Sequence, residues 1–131
     1  MNESILDSIK KVCGIEADYT AFDEDLLLHI NSEFAVLNQI GVGPVDGFQI
    51  SDNTATWADI LEGEMRLNMV KSYIYLKMRL LFDPPGTPPL IAAYEKQADM
   101  FLWRIREHRE TYLVTQPTLP VDIDGGDAGS E

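Results

Sequence analysis

The strongest pattern of apolar and polar positions lies between residues 70 and 85. Its apolar residues recur at steps of three and four, the period of one buried helix face: Val70, Tyr73, Ile74, Met78 and Leu81. Prolines follow at positions 84 and 85, and proline ends a helix because it lacks an N–H and restricts the residue before it. The pattern predicts a long helix from Glu64 to Phe82 with an abrupt end.

A second long helix is predicted directly after this break. Thr87 is a suitable N-cap, and Pro88 then occupies the first helical position, where a missing N–H costs nothing. One face of this helix is apolar, with Ile91, Tyr94, Ala98, Phe101, Leu102 and Ile105. Because the break is short, the two long helices are expected to pack as an antiparallel hairpin.

Two further helices are predicted in the N-terminal third. Helix 1 is expected from Ile5 to about Val12, with Ser4 as N-cap and Gly14 at its end. Helix 2 is expected to begin near Ala21, after Thr20 as N-cap, and to end at Gly41. Three carboxylates, Asp23, Glu24 and Asp25, then lie in its first turns, where the helix dipole favours them.

Residues 41–55 are rich in turn formers and predict a long loop. Phe48-Gln49-Ile50 alternates apolar and polar side chains, so this loop is compatible with a short strand or hairpin arm. A loop of this length is uncommon in a small domain unless it is functional or pairs with another segment. Thr56 then begins a short helix at Trp57 to Leu61, with Asp59 completing a capping box.

The C-terminal segment from Thr115 has no helical period and contains two prolines and three glycines. It is predicted to be flexible or ordered by a partner. Leu119, Val121 and Ile123 alternate with polar or proline neighbours, so they could add as a strand to a neighbouring edge, although a flexible tail is the simpler expectation. The fold prediction is all-α: a small helical bundle at residues 1–114 with a long antiparallel hairpin, followed by a flexible acidic tail at 115–131.

Size and composition exclude several classes of protein. A chain of 131 residues is expected to form one domain, and no apolar run is long enough to span a membrane. The N-terminus lacks an apolar core, so no signal peptide is expected there. The single cysteine, Cys13, cannot form an internal disulfide and is predicted to be a small core residue, which suggests a reducing compartment.

Charge is distributed unevenly along the chain. The net charge is −12, and residues 1–64 hold thirteen acidic residues against two basic ones, whereas residues 65–111 hold eight basic residues against five acidic ones. This acidity argues against a nucleic-acid backbone as the main partner. The simplest interpretation is two solvated faces. A sharper one is a head-to-tail contact between the acidic half of one copy and the basic helices of the next.

The sequence offers little for catalysis or for holding a metal or cofactor. His29 and Glu33 are one helical turn apart, but a zinc site needs three or four ligands. Gly41-Val42-Gly43-Pro44 lacks the remainder of a phosphate loop. The tail run from Asp122 to Asp127 departs from a calcium loop at ligand positions. We therefore predict no enzyme activity, no catalytic residues, no metal site and no cofactor.

Core packing is the default interpretation of aromatic residues in or near helices, and the alternative is contact with other subunits or partners. Tyr75 falls off the apolar stripe of its helix, and Tyr and Trp are enriched at interface hot spots. The candidate contact residues are Phe48, Ile50, Tyr75, Trp103, Leu119, Val121 and Ile123.

In combination, four stretches resemble the head–tail connector (head-completion adaptor) proteins of tailed bacteriophages. They are FAVLNQIGVGP from Phe34 to Pro44, ISDNTATWADIL from Ile50 to Leu61, VKSYIYLKMRLLFDPP from Val70 to Pro85, and FLWRIR from Phe101 to Arg106. None is a chemical signature alone, so the specificity lies in their order and spacing. The first helix and the acidic tail are not distinctive.

The resemblance implies a structural role at the head–tail junction of the virion, after assembly in the bacterial host cytoplasm. Members of the family form a homo-oligomeric ring of about a dozen subunits under the portal protein. The ring extends the DNA channel and docks the downstream head-completion or tail protein, and DNA passes without specific binding. The C-terminal segment of the family is thought to reach the portal, which corresponds here to roughly Thr115 to Glu131.

The alternative function is a small acidic regulator or DNA mimic that occupies a nucleic-acid-binding protein. The acidity of residues 1–64 and of the tail supports it. The carboxylates, however, cluster at helix caps and turns rather than at the spacing of phosphates.

Overall fold

The computed structural model describes the backbone of residues 3–115 and the side chains of residues 3–108. Within this range the chain forms five α-helices and no strand: α1 (Ile5–Val12), α2 (Asp23–Gln39), α3 (Trp57–Leu61), α4 (Leu67–Phe82) and α5 (Pro88–Thr115). The all-α prediction is confirmed. No helix in the described part of the chain is both long and apolar enough to cross a membrane.

Helices α4 and α5 form the predicted hairpin. Near the turn, the Arg79 guanidinium donates to the Tyr94 hydroxyl at 2.9 Å, and at the open end the Arg66 guanidinium donates to the Ile105 carbonyl at 3.0 Å. The pairing of the start of α4 with late α5 shows that the helices are antiparallel. Helix α4 also packs against α1 and α2, so it lies at the centre of the fold.

One continuous core joins these helices. Its buried members come from every helix and from the loop before α3, and the largest fully buried apolar ones are Trp57, Phe34, Ile5, Leu6, Ile9, Leu26, Ile30, Leu37, Ile74, Met78 and Ile105. Cys13 is buried at the end of α1, as predicted.

Several predicted helix ends are confirmed by hydrogen bonds. The Ser4 Oγ accepts the Asp7 N–H at 3.2 Å, and both bonds of the Thr56–Asp59 capping box are formed. Gly14 adopts a left-handed backbone with φ of 76°, and the amides of Gly14 and Ile15 donate to the carbonyls of the last turn of α1. This Schellman arrangement satisfies carbonyls that the helix leaves unpaired.

The predicted start of α2 is wrong by two residues. The helix begins at Asp23 with Phe22 as its N-cap residue, so Thr20 is not the cap. The segment before it is held by Lys10, whose ammonium donates to the carbonyl of Tyr19 at 2.9 Å and pairs with Asp23 at 2.7 Å. The chain therefore turns around the lysine before it becomes helical.

The predicted start of α4 is wrong by three residues. The helix begins at Leu67, because the Glu64 carboxylate accepts the backbone N–H of Arg66 at 2.9 Å and two bonds from its guanidinium. These bonds close a turn before the helix. Residues 64–66 thereby become a connecting turn rather than the first turn of α4.

The strand suggested for Phe48-Gln49-Ile50 is absent. Ile50 meets an amide side chain instead: its N–H donates to the Asn31 Oδ1 at 2.9 Å, and its carbonyl accepts from the Asn31 Nδ2 at 2.8 Å. These two bonds satisfy the backbone groups that a neighbouring strand would satisfy. The bridge that does form near this loop is an isolated antiparallel pair between Ser4 and Thr56.

Candidate contact surface

The loop of residues 41–50, which we call the contact loop, projects from the end of α2 and is tied down at both ends. The Asn38 amide donates to the carbonyls of Val42 and Pro44 at 2.9 Å and 2.6 Å. The Asn31 amide holds the far end through its two bonds to the Ile50 backbone. The contact loop is therefore an anchored projection.

The middle of the contact loop is open to solvent. Val45 is exposed almost completely. An open groove of about 570 Å³ lies between the contact loop, the end of α2 and Arg106 on α5. The contact loop thus offers both an apolar tip and a concave side to another molecule.

Phe48 closes the contact loop onto the core. Its ring lies 4.6 Å from the Phe34 ring between centroids. On its other side the ring covers Gly43, where a Cβ would lie 2.5 Å from the ring. Gly43 also has a φ of +79°, which L side chains rarely adopt. A glycine is therefore required at this position by both sterics and backbone conformation.

Substituting Gly43 with alanine is expected to lower the free energy of unfolding by about 2 kcal/mol, because the left-handed backbone is strained and the Phe48 ring must move. Gly14→Ala is the matched control, since Gly14 has a similar φ of +76° and no heavy atom within 4 Å of the position that a methyl group would occupy. Urea denaturation of both variants measures the difference. Equal losses would show that the contact with Phe48 contributes nothing.

The structure places the other predicted contact residues in different environments. Ile50 is 4% exposed and its side chain belongs to the core, whereas Trp103 on α5 is 59% exposed. Phe48, within the contact loop, is half-buried. Leu119, Val121 and Ile123 lie outside the described residues. Ile50, Phe48 and Tyr75 all belong to or pack against the same hydrophobic core, whereas Trp103 faces solvent, and the role of these residues in contacts stays a prediction.

Tyr75 does not project freely into solvent as its position off the helix stripe suggested. It is half-buried, and its ring meets Trp57 edge to face with centroids 6.1 Å apart. Burial raises the pKa of its hydroxyl. Tyr73, the other tyrosine of α4, is buried, and its hydroxyl donates a hydrogen bond to the Glu33 carboxylate at 2.7 Å. Burial and this hydrogen bond both raise the pKa of the Tyr73 hydroxyl.

Sequence reasoning missed Lys10, the most buried cation among the described residues. It is 1% exposed, and its ammonium donates to the carbonyls of Ala17 and Tyr19 while it pairs with Asp23. One signal was available, because Lys10 follows Leu6 by four residues and so shares the buried face of α1. Its role is to join α1, the following loop and α2.

Arg66 is the second residue that the sequence did not reveal. Its guanidinium holds the Glu64 carboxylate in a two-point contact, with nitrogen–oxygen distances of 2.6 Å and 3.0 Å. It also donates to the carbonyls of Ile105 and Gly41. Burial alone would raise the pKa of Glu64, but the hydrogen bonds from Arg66 outweigh it and the pKa lies below its usual value. Arg66 thus joins the start of the contact loop, the start of α4 and α5.

The described residues contain no group of three or more His, Cys, Asp or Glu side chains that could hold a metal ion. His29 packs its ring against Phe82 at 5.7 Å, and Glu33 accepts the hydrogen bond from Tyr73. Burial, with a smaller contribution from Asp83, raises the pKa of the Cys13 thiol to about 11. A thiol with this pKa is protonated at neutral pH and is a poor nucleophile.

The arrangement defines a small helical scaffold whose buried polar groups hold its elements together and whose exposed features are a loop and helix faces. A family model described as phage connector protein matches residues 5–112, and the chain belongs to this family. The family is structural and is not known as an enzyme, and membership implies a virion component at the head–tail junction. No curated protein and no solved structure matches the chain.

Proposed function

We propose that the protein is a head–tail connector subunit that forms a ring of about a dozen copies beneath the portal. The ring extends the DNA channel and docks the next protein of the tail. The observation that carries this proposal is the family match over residues 5–112, which includes all of α1 to α4 and most of α5.

The hydrogen bonds that join the helices support the role of a ring subunit. Hydrogen bonds join the helices of the α4–α5 hairpin near the turn and again at its open end, so the hairpin resists shear between its helices. The buried Arg66 network fixes the contact loop to that hairpin. A subunit of this kind presents its loop and helix faces in constant positions to its neighbours.

The charge of the chain supports a channel through which DNA passes without binding. A net charge of −12 gives the ring an acidic surface overall, and phosphate binding needs clustered cations. An acidic channel wall would repel the DNA backbone and prevent adhesion. A basic lumen in an assembled ring would contradict this part of the proposal.

Light scattering of the purified protein, alone and mixed with its portal protein, tests the proposal directly. We expect a complex that adds about a dozen chains to the portal, visible as a ring in negative stain. A second sample that ends at Thr115 tests the tail: we expect it to fold with the same helical content but to lose binding to the portal.

Two outcomes would contradict the proposal. The first is a chain that stays monomeric both alone and with the portal. The second is a monomer that instead binds a nucleic-acid-binding protein in competition with DNA, which would favour the acidic mimic.

A further inference from the structure

Two helix faces are exposed among the described residues, and each combines apolar side chains with charged ones. The α2 stripe consists of exposed residues at short helical spacings: Asp25, Leu28, Ser32, Ala35 and Val36. The α5 stripe consists of exposed residues on the side of α5 opposite its buried positions: Lys96, Met100, Trp103 and Arg104. Both faces point away from α4, against which each helix packs.

The α2 stripe is apolar with an acidic end. Leu28 is 64% exposed, and Val36 is also exposed. The one hydroxyl within the stripe is satisfied internally, since the Ser32 Oγ donates to the Leu28 carbonyl at 3.0 Å. Asp25 and its neighbour Glu24 lie at the N-terminal end, and α2 contains no Lys or Arg.

The α5 stripe is apolar with basic ends. Trp103 is 59% exposed and Met100 is also exposed, one turn apart. Lys96 and Arg104 lie on either side of them along the helix and make no ion pair with another described residue. Two acids adjoin this face: Glu107, which is half-buried, and Asp99, which is exposed one turn from Lys96 and from Trp103. Trp is among the residue types that most often dominate interface energetics.

We infer that the α5 stripe of one subunit packs antiparallel against the α2 stripe of the next copy. This inference rests on the proposed function and names its subunit contact. In this register Arg104 lies near Asp25, and Trp103 packs on Leu28. The stripes have similar lengths, about 12 Å from Lys96 to Arg104 and about 16 Å from Asp25 to Val36 at 1.5 Å per residue.

The contact joins two different surfaces, so it is heterologous. In a pair, one subunit keeps a free α2 stripe and the other keeps a free α5 stripe. Further copies therefore add at both ends until a ring closes. The same pairing places an acid of one copy beside a cation of the next, and opposite charges across an interface fix its register and disfavour other pairings.

Two single substitutions test this contact. Trp103→Glu places a carboxylate against the acidic end of the α2 stripe, and Leu28→Lys places a cation against the basic α5 stripe. Each is expected to raise the protein concentration needed for half-assembly about tenfold or more. Sedimentation velocity, alone and on the portal, measures this concentration. Circular dichroism and the midpoint of thermal unfolding, both expected unchanged, show that the variants fold.

Matched controls use exposed apolar residues outside both stripes. Leu81→Glu and Met65→Lys introduce the same charges at positions that are 52% and 67% exposed. Both controls are expected to assemble like the unmodified chain. If the controls lose assembly as strongly as the stripe variants, the inference is overturned, because an added charge at any exposed position would then be enough to prevent assembly.

Mixing the two stripe variants provides the decisive result. The Trp103→Glu chain keeps an intact α2 stripe, and the Leu28→Lys chain keeps an intact α5 stripe, so the pair forms one unmodified contact. We expect complexes that contain both chains in equal numbers. The inference would be overturned if the two variants did not associate on mixing, or if either variant assembled normally on its own. In both cases the proposed function would stand as long as the unmodified chain forms rings. Failure of the unmodified chain to assemble would overturn both.

Discussion

Replacing Arg66 with alanine is expected to lower the free energy of unfolding by about 3–5 kcal/mol, the usual loss when one partner of a buried ion pair is removed. The Glu64 carboxylate would remain largely buried without its cation. The carbonyls of Ile105 and Gly41 would each lose a donor. Because these groups belong to three elements, the loss should appear as global destabilisation in urea or thermal unfolding.

Two further variants separate charge from geometry. Arg66→Lys keeps the charge but cannot reproduce the two-point contact with Glu64, so it should lose about half of the stability that alanine loses. Arg104→Ala removes an exposed arginine and, measured on the unassembled chain, should change stability by less than about 0.5 kcal/mol. Equal effects of Arg66→Ala and Arg104→Ala would refute the anchoring role of Arg66.

The Arg66–Glu64 pair also predicts a dependence of stability on pH. The pKa of Glu64 is lower in the folded chain than its ordinary value near 4.5. At pH values above this ordinary pKa, the ionised Glu64 carboxylate stabilises the folded state. This stabilisation is lost as the pH falls through the lowered pKa of the folded chain. The Arg66→Ala variant lacks the guanidinium hydrogen bonds that lower the pKa of Glu64. In this variant, the loss of stability that Glu64 causes as the pH falls should therefore disappear. Unfolding curves between pH 7 and pH 3 measure the difference.

Replacing Lys10 with methionine is expected to lower the free energy of unfolding by about 3 kcal/mol, because partners of a buried charge are left unpaired. Methionine retains most of the apolar stem, so the loss reports the ammonium rather than a cavity. Without the ammonium, the carbonyls of Ala17 and Tyr19 lack their donor, and Asp23 lacks its cation at the first turn of α2. The midpoint of chemical denaturation measures the effect.

Lys11 provides the matched control for Lys10, because it is the next residue of the same helix and is exposed. Lys11→Met should leave stability within about 0.5 kcal/mol of the unmodified chain. In Lys10→Met, we also expect faster hydrogen exchange at residues 15–22, since the lysine holds this segment. Unchanged exchange there would contradict the role assigned to Lys10.

The helices were predictable because their information is local. The stripe from Val70 to Met78 and the capping box of Thr56 and Asp59 both operate over a few residues, and both are found in the structure. The restart at Pro88 is equally local. The hairpin followed from the short connection between two apolar stripes, which leaves few other ways to bury them.

Two of the errors occurred where a side chain distant in sequence binds the backbone. Thr20 is a good N-cap in isolation, but Lys10 holds the segment before α2 in another path. Ile50 has the alternation of a strand, but the Asn31 amide occupies the hydrogen bonds that a strand would use. Neither partner is close in sequence, so no local pattern signals it.

The proposed contact surface was only partly predictable for a related reason. Aromatic character marked Tyr75 and Trp103 alike, but one packs on Trp57 and the other faces outward. The direction in which a helical residue points depends on which neighbours cover the helix. Leu28 was not among the predicted contact residues, yet it is one of the most exposed apolar side chains of the described chain.

The two asparagines that anchor the contact loop have a practical consequence for following assembly. Asn38 and Asn31 both belong to α2, so one rigid helix fixes the two ends of the segment that carries Val45. Lengthening a segment with fixed ends has a small entropic cost, about 0.6 kcal/mol per doubling. A fluorophore or short epitope at Val45 should therefore leave the core undisturbed and report, by quenching or protection, when a neighbour arrives.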